Sequence, residues 1–460
     1  MSDNSTTQRW LFEGVCERRV EVEFDEDDSS SDGGAVLLKA AARPYRRLLA
    51  ELAACIPDER QEGKIEHQML EMLAQRVYGI ACGYEDANDA ARLRLDPMHR
   101  LLAGRDPVKG KPLASQSSLS RFENTPGPRA LYRMGERLAE GVLARQARRL
   151  GGRARRVTID LDPTDDPTHG AQQLSFFNGH YDGWCYLPVV AFVRFDEERE
   201  QYLAAAVLRP GNAAPAAGAQ GILRRLLARV RRHFGRVRVL VRLDGGFASP
   251  GLLDWLGRQP GVDYVIALPK NSVLARAAEP AMRLARRLAR QSGETEHVYT
   301  ETRYAAGTWR EPRRVIIKAE VVCSDHAEPR DNPRFLVTNL LQSAQWVYER
   351  VYCARGEVEN RIKELHWGVE MGRTSCTSFW ANQFRVLLSA IAYVLLQELR
   401  RQAEGCGLAR AQVTTLRQRL LKISARITGS VRRIVLHLPR AFPDRDSFEH
   451  LARALGAAAG

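Results

Sequence analysis

The spacing of hydrophobic and polar positions changes near residue 155. Upstream, apolar residues recur at three- and four-residue steps, which predicts helices over 40–55, 64–81, 85–93, 115–124 and 129–150, punctuated by Gly, Pro and Asp. Downstream the period shortens. Strands are predicted over 156–162, 186–195 and 201–208, with Asp196-Glu197-Glu198 as a hairpin turn. An amphipathic helix over 218–234, a strand over 236–243, a helix over 250–256 and a strand over 262–268 follow. The stretch 295–342 breaks this alternation with three further strands, over 298–304, 314–322 and 334–340. A strong helix begins near 344 and continues past 366, and a long apolar helix covers 379–401. From 410 onward the tail reads as helical and basic.

These patterns divide the chain into six segments. Residues 1–35 form a flexible arm, in which Val20-Glu21-Val22-Glu23-Phe24 alternates like a strand and Asp25–Gly34 is an acidic, Ser- and Gly-rich loop. A helical region over 36–150 is assigned to DNA binding. A first part of an α/β core spans 151–294, a β-rich insertion 295–342, the rest of the core 343–405, and a basic helical region 406–460. The order β-β-β-α-β-α-β, a meander followed by alternation, is the ribonuclease-H-like order: a mixed sheet flanked by helices. In that order the first and fourth strands are neighbours.

Composition narrows the partners. Lys and Arg number 69 against 55 Asp and Glu, a net charge of +14, and a protein this basic usually meets a polyanion. Arginine dominates the basic runs, and its planar fork suits phosphate oxygens. The eight cysteines include no Cys-x-x-Cys pair, which argues against a zinc ribbon and for reduced core residues in a cytoplasmic protein. Met1–Thr7 is polar, with no signal peptide in view. The apolar run over 386–396 is too short for a membrane span of roughly 20 residues and reads as a core helix.

The candidate chemistry is acidic. Asp160 and Asp162 close the strand over 156–162 and, two residues apart, share a face. Leu240-Val241-Arg242-Leu243-Asp244-Gly245-Gly246 is a buried strand ending in an acid beside two glycines, the kind of strand end that ligands approach. Tyr352, Arg355, Glu359, Lys363 and His366 fall within an arc of about 80° on one helix face. One helix stripe thus carries an aromatic ring, a carboxylate and several phosphate-seeking groups. Three carboxylates from two strand ends and a helix can hold two divalent ions, magnesium or manganese, for phosphodiester cleavage.

Tyr352, Arg355 and Glu359 resemble the Y-x(2)-R-x(3)-E-x(6)-K signature of DDE transposases from bacterial insertion sequences. Asp160–Gly170, Phe177–Tyr181, Arg242–Phe247 and Arg355–Leu365 resemble one group of these, transposase DDE domain group 1, of the insertion-sequence thirteen-eighty type. The resemblance implies Asp162 as the acid of a D-x-T element with Thr164, Asp244 as the second acid and Glu359 as the third. It further implies a ribonuclease-H-like fold, magnesium dependence, and a homodimer that pairs two double-stranded transposon ends. Excision through hairpin ends, as in related enzymes, and strand transfer into a target DNA are what the resemblance implies. One position departs: the final lysine of the signature is His366 here, and Lys363, one turn earlier, is the other candidate for that charge. A catalytically inactive DNA-binding relative and another ribonuclease-H-like nuclease are the competing readings.

Other residues carry secondary expectations. Ala114–Glu123 resembles the second helix of a helix-turn-helix, with Arg121 reaching DNA. Asp160 is expected to bond backbone nearby or to stand behind the metal ligands, and Asp165 and Asp166 to serve as turn or capping residues. Structural hydrogen bonds are expected for His169 and His180. Core packing is expected for Trp184, Trp346, Trp367 and Trp380, with stacking on a flipped base as the alternative.

Overall fold

The computed structural model describes residues 9–12, 17–324 and 327–458, so Met1–Thr7 and Cys16 lie outside the described residues. The N-terminal third is mainly helical. Its longer helices are α1 (Met69–Ala81), α2 (Gln116–Glu123) and α3 (Pro128–Leu150). The helix expected over 40–55 is broken into Val36–Ala42 and Leu48–Ala53. Pro44, which has no N–H to donate, sits in the 3-10 turn between them, and Arg46 follows at φ 58°. The helix expected over 85–93 shrinks to two short turns, Ala87–Asp89 and Ala90–Leu93.

Residues 29–35 are built into the body of the protein, contrary to the expected arm. Ser29–Ser30 pairs with the strand Ala425–Gly429. Asp32 is fully buried between His99 (2.9 Å) and Lys422 (2.8 Å). Gly34 packs so tightly that a Cβ there would lie 1.8 Å from the Leu420 carbonyl oxygen, so only glycine fits. A polar, glycine-rich run looks like loop in sequence, yet these side chains find partners nearly 400 positions away.

A nine-stranded mixed sheet organises the rest. Along the chain its path strands are β1 (Arg156–Pro163), β2 (Val189–Phe195), β3 (Tyr202–Val207), β4 (Arg238–Leu243), β5 (Val262–Leu268), β6 (Glu296–Tyr304), β7 (Arg313–Ser324) and β8 (Arg334–Thr338). Their spatial order is β6-β7-β8-β5-β4-β1-β2-β3, with Ala327–Asp331 paired onto β7. Strands β1, β4 and β5 are parallel neighbours, and β2 and β3 extend β1 as an antiparallel meander. Helices α4 (Ala219–Phe234) and α5 (Pro250–Gly257) connect β3 to β4 and β4 to β5. The meander-then-alternation order and the pairing of first and fourth strands are therefore present. The strand expected over 186–195 starts late because Pro188 interrupts it, and Gly183–Tyr186 joins a separate small sheet with Phe176–Asn178 and Asp166–Pro167.

Two expectations about the later chain are corrected. The β-rich insertion over 295–342 is not a separate subdomain: β8 pairs with β5 and β7 with β8, so its strands extend the main sheet. Left uncovered, the outer edge of β5 would present unpaired N–H and C=O groups. The long helix α6 (Ser272–Ser292), which leads into this segment and packs on β6 and β7, is an element beyond those the sequence pattern predicts. The tail is not wholly helical either, because Ala425–Gly429 and Ile434–His437 form strands. Between these lie α7 (Gly356–Val369) and α8 (Phe379–Gln402). Helix α8 is the only described helix long and apolar enough to cross a membrane, and it is almost entirely buried in the core, packed on α1, α3 and β3.

Candidate active site

Parallel β1 and β4 end side by side, and their C-terminal ends hold Asp162 and Asp244. Asp162 is buried, and Asp244 is partly buried just past β4. The Asp244 carboxylate caps the 3-10 turn Gly245–Phe247, accepting from the Gly246 amide at 2.9 Å. A Cβ at Gly246 would meet the Pro215 Cβ at 2.7 Å, which explains the small residue after the acid.

The third element approaches over this strand end. From Ala344 it winds as a short α-turn, a π-helical stretch (Val347–Tyr352), a 3-10 turn (Cys353–Arg355) and then α7. π-Helical turns inside helices are frequent at functional sites. Arg355 Nη2 forms an ion pair with Asp162 Oδ1 at 2.8 Å. Tyr352 is half-buried against Tyr348 (ring centroids 5.8 Å apart). Burial raises its phenol pKa, Arg355 opposes that, and the nearby Asp244 and Asp162 charges add to it. Glu359 lies in the first turn of α7, on the solvent side.

Asp162 is the most perturbed of these groups. Burial pushes its carboxyl up to about 7; the Arg355 guanidinium opposes this, and Asp244, Glu359 and Asp160 push it higher. The carboxylates are thus close enough to repel, with one arginine as partial compensation. They are not drawn into a single tight ligand shell. Among the described residues only Asp32, Cys82 and His99 bring ligand atoms within 4.8 Å of one another, and Lys422 already satisfies that aspartate.

His366 takes an unexpected place. Its Nε2 lies 2.9 Å from the Thr164 hydroxyl, and burial lowers its pKa, with Asp165 opposing. It is therefore a neutral ring joining α7 to the turn after β1, not a surface cation. Lys363, by contrast, is exposed on α7. Arg121 is exposed on α2, but the preceding helix, Pro97–Ala103, ends long before α2 begins. The intervening loop over 104–115 is too long for the short turn of a helix-turn-helix.

Several secondary expectations change. Asp160 is not seen to bond backbone; it is fully buried in a fork with Arg242, with Gln201 as a further partner. Asp166 is no turn residue. It is buried in a short strand, accepts the Thr374 hydroxyl at 2.8 Å, and is pushed up to about 7 by burial. His169 and His180 are exposed; their backbone amides bond Gln172 and Asn178, and the His180 ring packs edge-on against Tyr181. The four tryptophans are not core residues: Trp184, Trp346, Trp367 and Trp380 are 40–75 % exposed. Trp184 stands directly across from exposed Phe177 on the hairpin after β1. At the hairpin tip, Tyr181 is raised by burial and by the charges of Asp165, Asp162 and Asp244, which places it beside the acids. Sequence offered one signal for this surface, the Phe177–Tyr181 run of aromatics among turn residues.

The strand-end acids, the glycine-backed second acid and the Tyr-Arg-Glu helix occur in one chain whose residues 12–459 match the family described as transposase DDE domain group 1. The chain belongs to that family. No curated protein matches it. Membership extends over nearly the whole length, so the helical N-terminal third and the strand-bearing tail belong to the DDE transposase as much as the sheet does.

Proposed function

We propose that this DDE transposase is the enzyme of an insertion sequence of the thirteen-eighty type, built on a ribonuclease-H-like core. It binds the terminal inverted repeats, cleaves the ends and joins them to target DNA, acting as a homodimer in the bacterial cytoplasm. The observation that supports this best is the convergence of Asp162, Asp244 and the Tyr352–Glu359 helix at one end of parallel β1 and β4.

The residues fit divalent cations. The donors are hard carboxylate oxygens, and Asp162 is raised by its burial, which the Arg355 guanidinium opposes and the neighbouring acids reinforce. Asp162, Asp244 and Glu359 would hold magnesium or manganese, two ions per site, which activate the attacking water or hydroxyl and stabilise the leaving oxygen. With Asp162 engaged in this way, Arg355 is free to turn its fork to phosphate. Tyr352 and exposed Lys363 flank the same stripe and hold the DNA backbone. His366 holds the Thr164 turn in place, so Lys363 supplies the charge that the family signature puts at 366. The exposed aromatics of the 176–186 hairpin offer flat apolar faces for bases near the cut.

The test uses plasmid DNA carrying the element's ends. Wild-type protein with Mg2+ or Mn2+ should release the element and insert it elsewhere, whereas Asp244→Ala protein should bind the ends and leave them uncut. Full cleavage by Asp244→Ala would overturn the assignment.

A further inference from the structure

The Asp160–Arg242 pair sits directly beneath the site. The two residues face each other in the register of β1 and β4. Each precedes a site acid by two positions, so with alternating side chains the pair lies on the same sheet face, one pleat deeper. Arg242 Nε and Nη2 donate to the two Asp160 oxygens, both at 2.7 Å, and Gln201 adds a bond of 3.2 Å. Neither charged side chain reaches solvent.

One arm of the guanidinium points elsewhere. Nη1 donates to the Val351 carbonyl at 2.9 Å. Val351 lies in the π-helical stretch, immediately before Tyr352 and one turn before Arg355. Besides Glu349 beside His297 at the exposed rim and the Lys318 ammonium over the Tyr348 ring, this stretch rests on the sheet through apolar contacts: Val347, Tyr348 and Val351 against Leu240, Val265, Ile316 and Leu336. Such contacts are non-directional and fix neither the rotation nor the height of a helix. A charge-assisted hydrogen bond from a rigid, doubly anchored fork does both.

We propose that Asp160 and Arg242 are positioning residues of this site, setting through the Val351 carbonyl where Tyr352, Arg355 and Glu359 stand relative to Asp162 and Asp244. The proposal rests on the reading of those acids as metal ligands. Asp160 locks the guanidinium, the guanidinium locks the helix, and the helix delivers the third carboxylate. Partners behind metal ligands commonly contribute 10–100-fold in affinity or activity.

The experiment uses full-length protein and two readouts besides cleavage: Mn2+ binding by electron paramagnetic resonance, and amide hydrogen exchange over 347–359. Arg242→Lys keeps the charge but loses the fork and the second arm. It should raise half-saturating Mn2+ by about tenfold and speed exchange over 347–359 by a similar factor. The double variant Asp160→Leu/Arg242→Met removes both charges together, a change that buried pairs often tolerate in stability, and it should show the same two shifts in a protein that melts normally. Unchanged Mn2+ binding and unchanged exchange in either folded variant would overturn the proposal. Asp244→Ala in the same assay separates the two ideas: if it leaves Mn2+ binding intact, the metal-site reading itself fails.

Discussion

Two buried acidic regions of this transposase differ in how completely they are matched. On the α7–α8 side, Arg400 bonds Glu364 at 2.6 Å and Glu200 at 2.7 and 2.9 Å. Arg361 and the Tyr393 hydroxyl complete Glu364, each at 2.7 Å. Nearby, burial pushes Glu398 up, but its bonds to Arg145 and Arg401 outweigh this and hold it below the usual glutamate range. At the ends of β1 and β4 the balance is reversed: burial and three neighbouring acids raise Asp162 against a single arginine. The first region is a structural weld between helices and the β2–β3 turn. The second leaves its carboxylates incompletely compensated, as the proposed metal site requires and a salt-bridge network of similar composition does not.

The sharpest way to break this comparison is to delete one acid from each region. Removing Asp162, Asp244 or Glu359 should cut single-turnover cleavage by on the order of a thousandfold or more while leaving folding intact. Thermal melting alongside a cleavage time course would show it. On the matched side the effect should fall on stability: Arg400→Ala strands buried Glu364 and half-buried Glu200 and should cost about 3–5 kcal/mol in a denaturant titration, with cleavage per folded molecule retained. Large cleavage loss in folded Arg400→Ala protein would erase the distinction.

A pH series sharpens it further. The Asp166 carboxyl has its folded pKa raised from 3.8 to about 7, so the native state holds its proton longer than the unfolded chain. Its contribution is fully present below pH 3.8 and is lost as pH rises to about 7, at a slope of up to about 1.4 kcal/mol per pH unit. Asp166→Asn should flatten that part of the stability profile measured by denaturation between pH 4 and 8; an unchanged slope would mean that the buried carboxyl does not titrate there. The smallest expected effect is at His366. Replacing it by Lys forfeits a bond to Thr164 worth about 1 kcal/mol and should reduce cleavage by less than about tenfold in the same kinetic assay.

Local pattern carried much of the architecture. The strand runs over 156–162 and 236–243, the acids that close them and the helix around Glu359 are all periodic features with one dominant neighbour. The strands and the Gly356–Val369 helix stand close to where alternation and helical spacing put them, but the expected continuous helix from 344 is broken, with Tyr352 and Arg355 in π-helical and 3-10 turns ahead of Glu359. Partners distant in sequence were not legible. Ser29–Ala35 reads as loop because its partners are at 420–425, and Asp160 reads as bonded to nearby backbone or standing behind the metal ligands because its fork to Arg242 exists only once β1 and β4 lie in register. The tryptophans illustrate the same limit: large aromatic residues are expected inside, and only the packing of their elements showed that four of them face outward.

The sequence by itself determined that the chain alternates strands and helices, that it is strongly basic, and that three acids stand at two strand ends and on a helix. Those properties are written in period, charge and short motifs. Only the tertiary structure decided that the 295–342 strands complete the main sheet, that His366 is a neutral link to Thr164, and that Arg242 ties the Val351 turn to Asp160. Each depends on a hydrogen bond or strand pairing between residues far apart in the chain, where directional geometry, not local spacing, selects the partner.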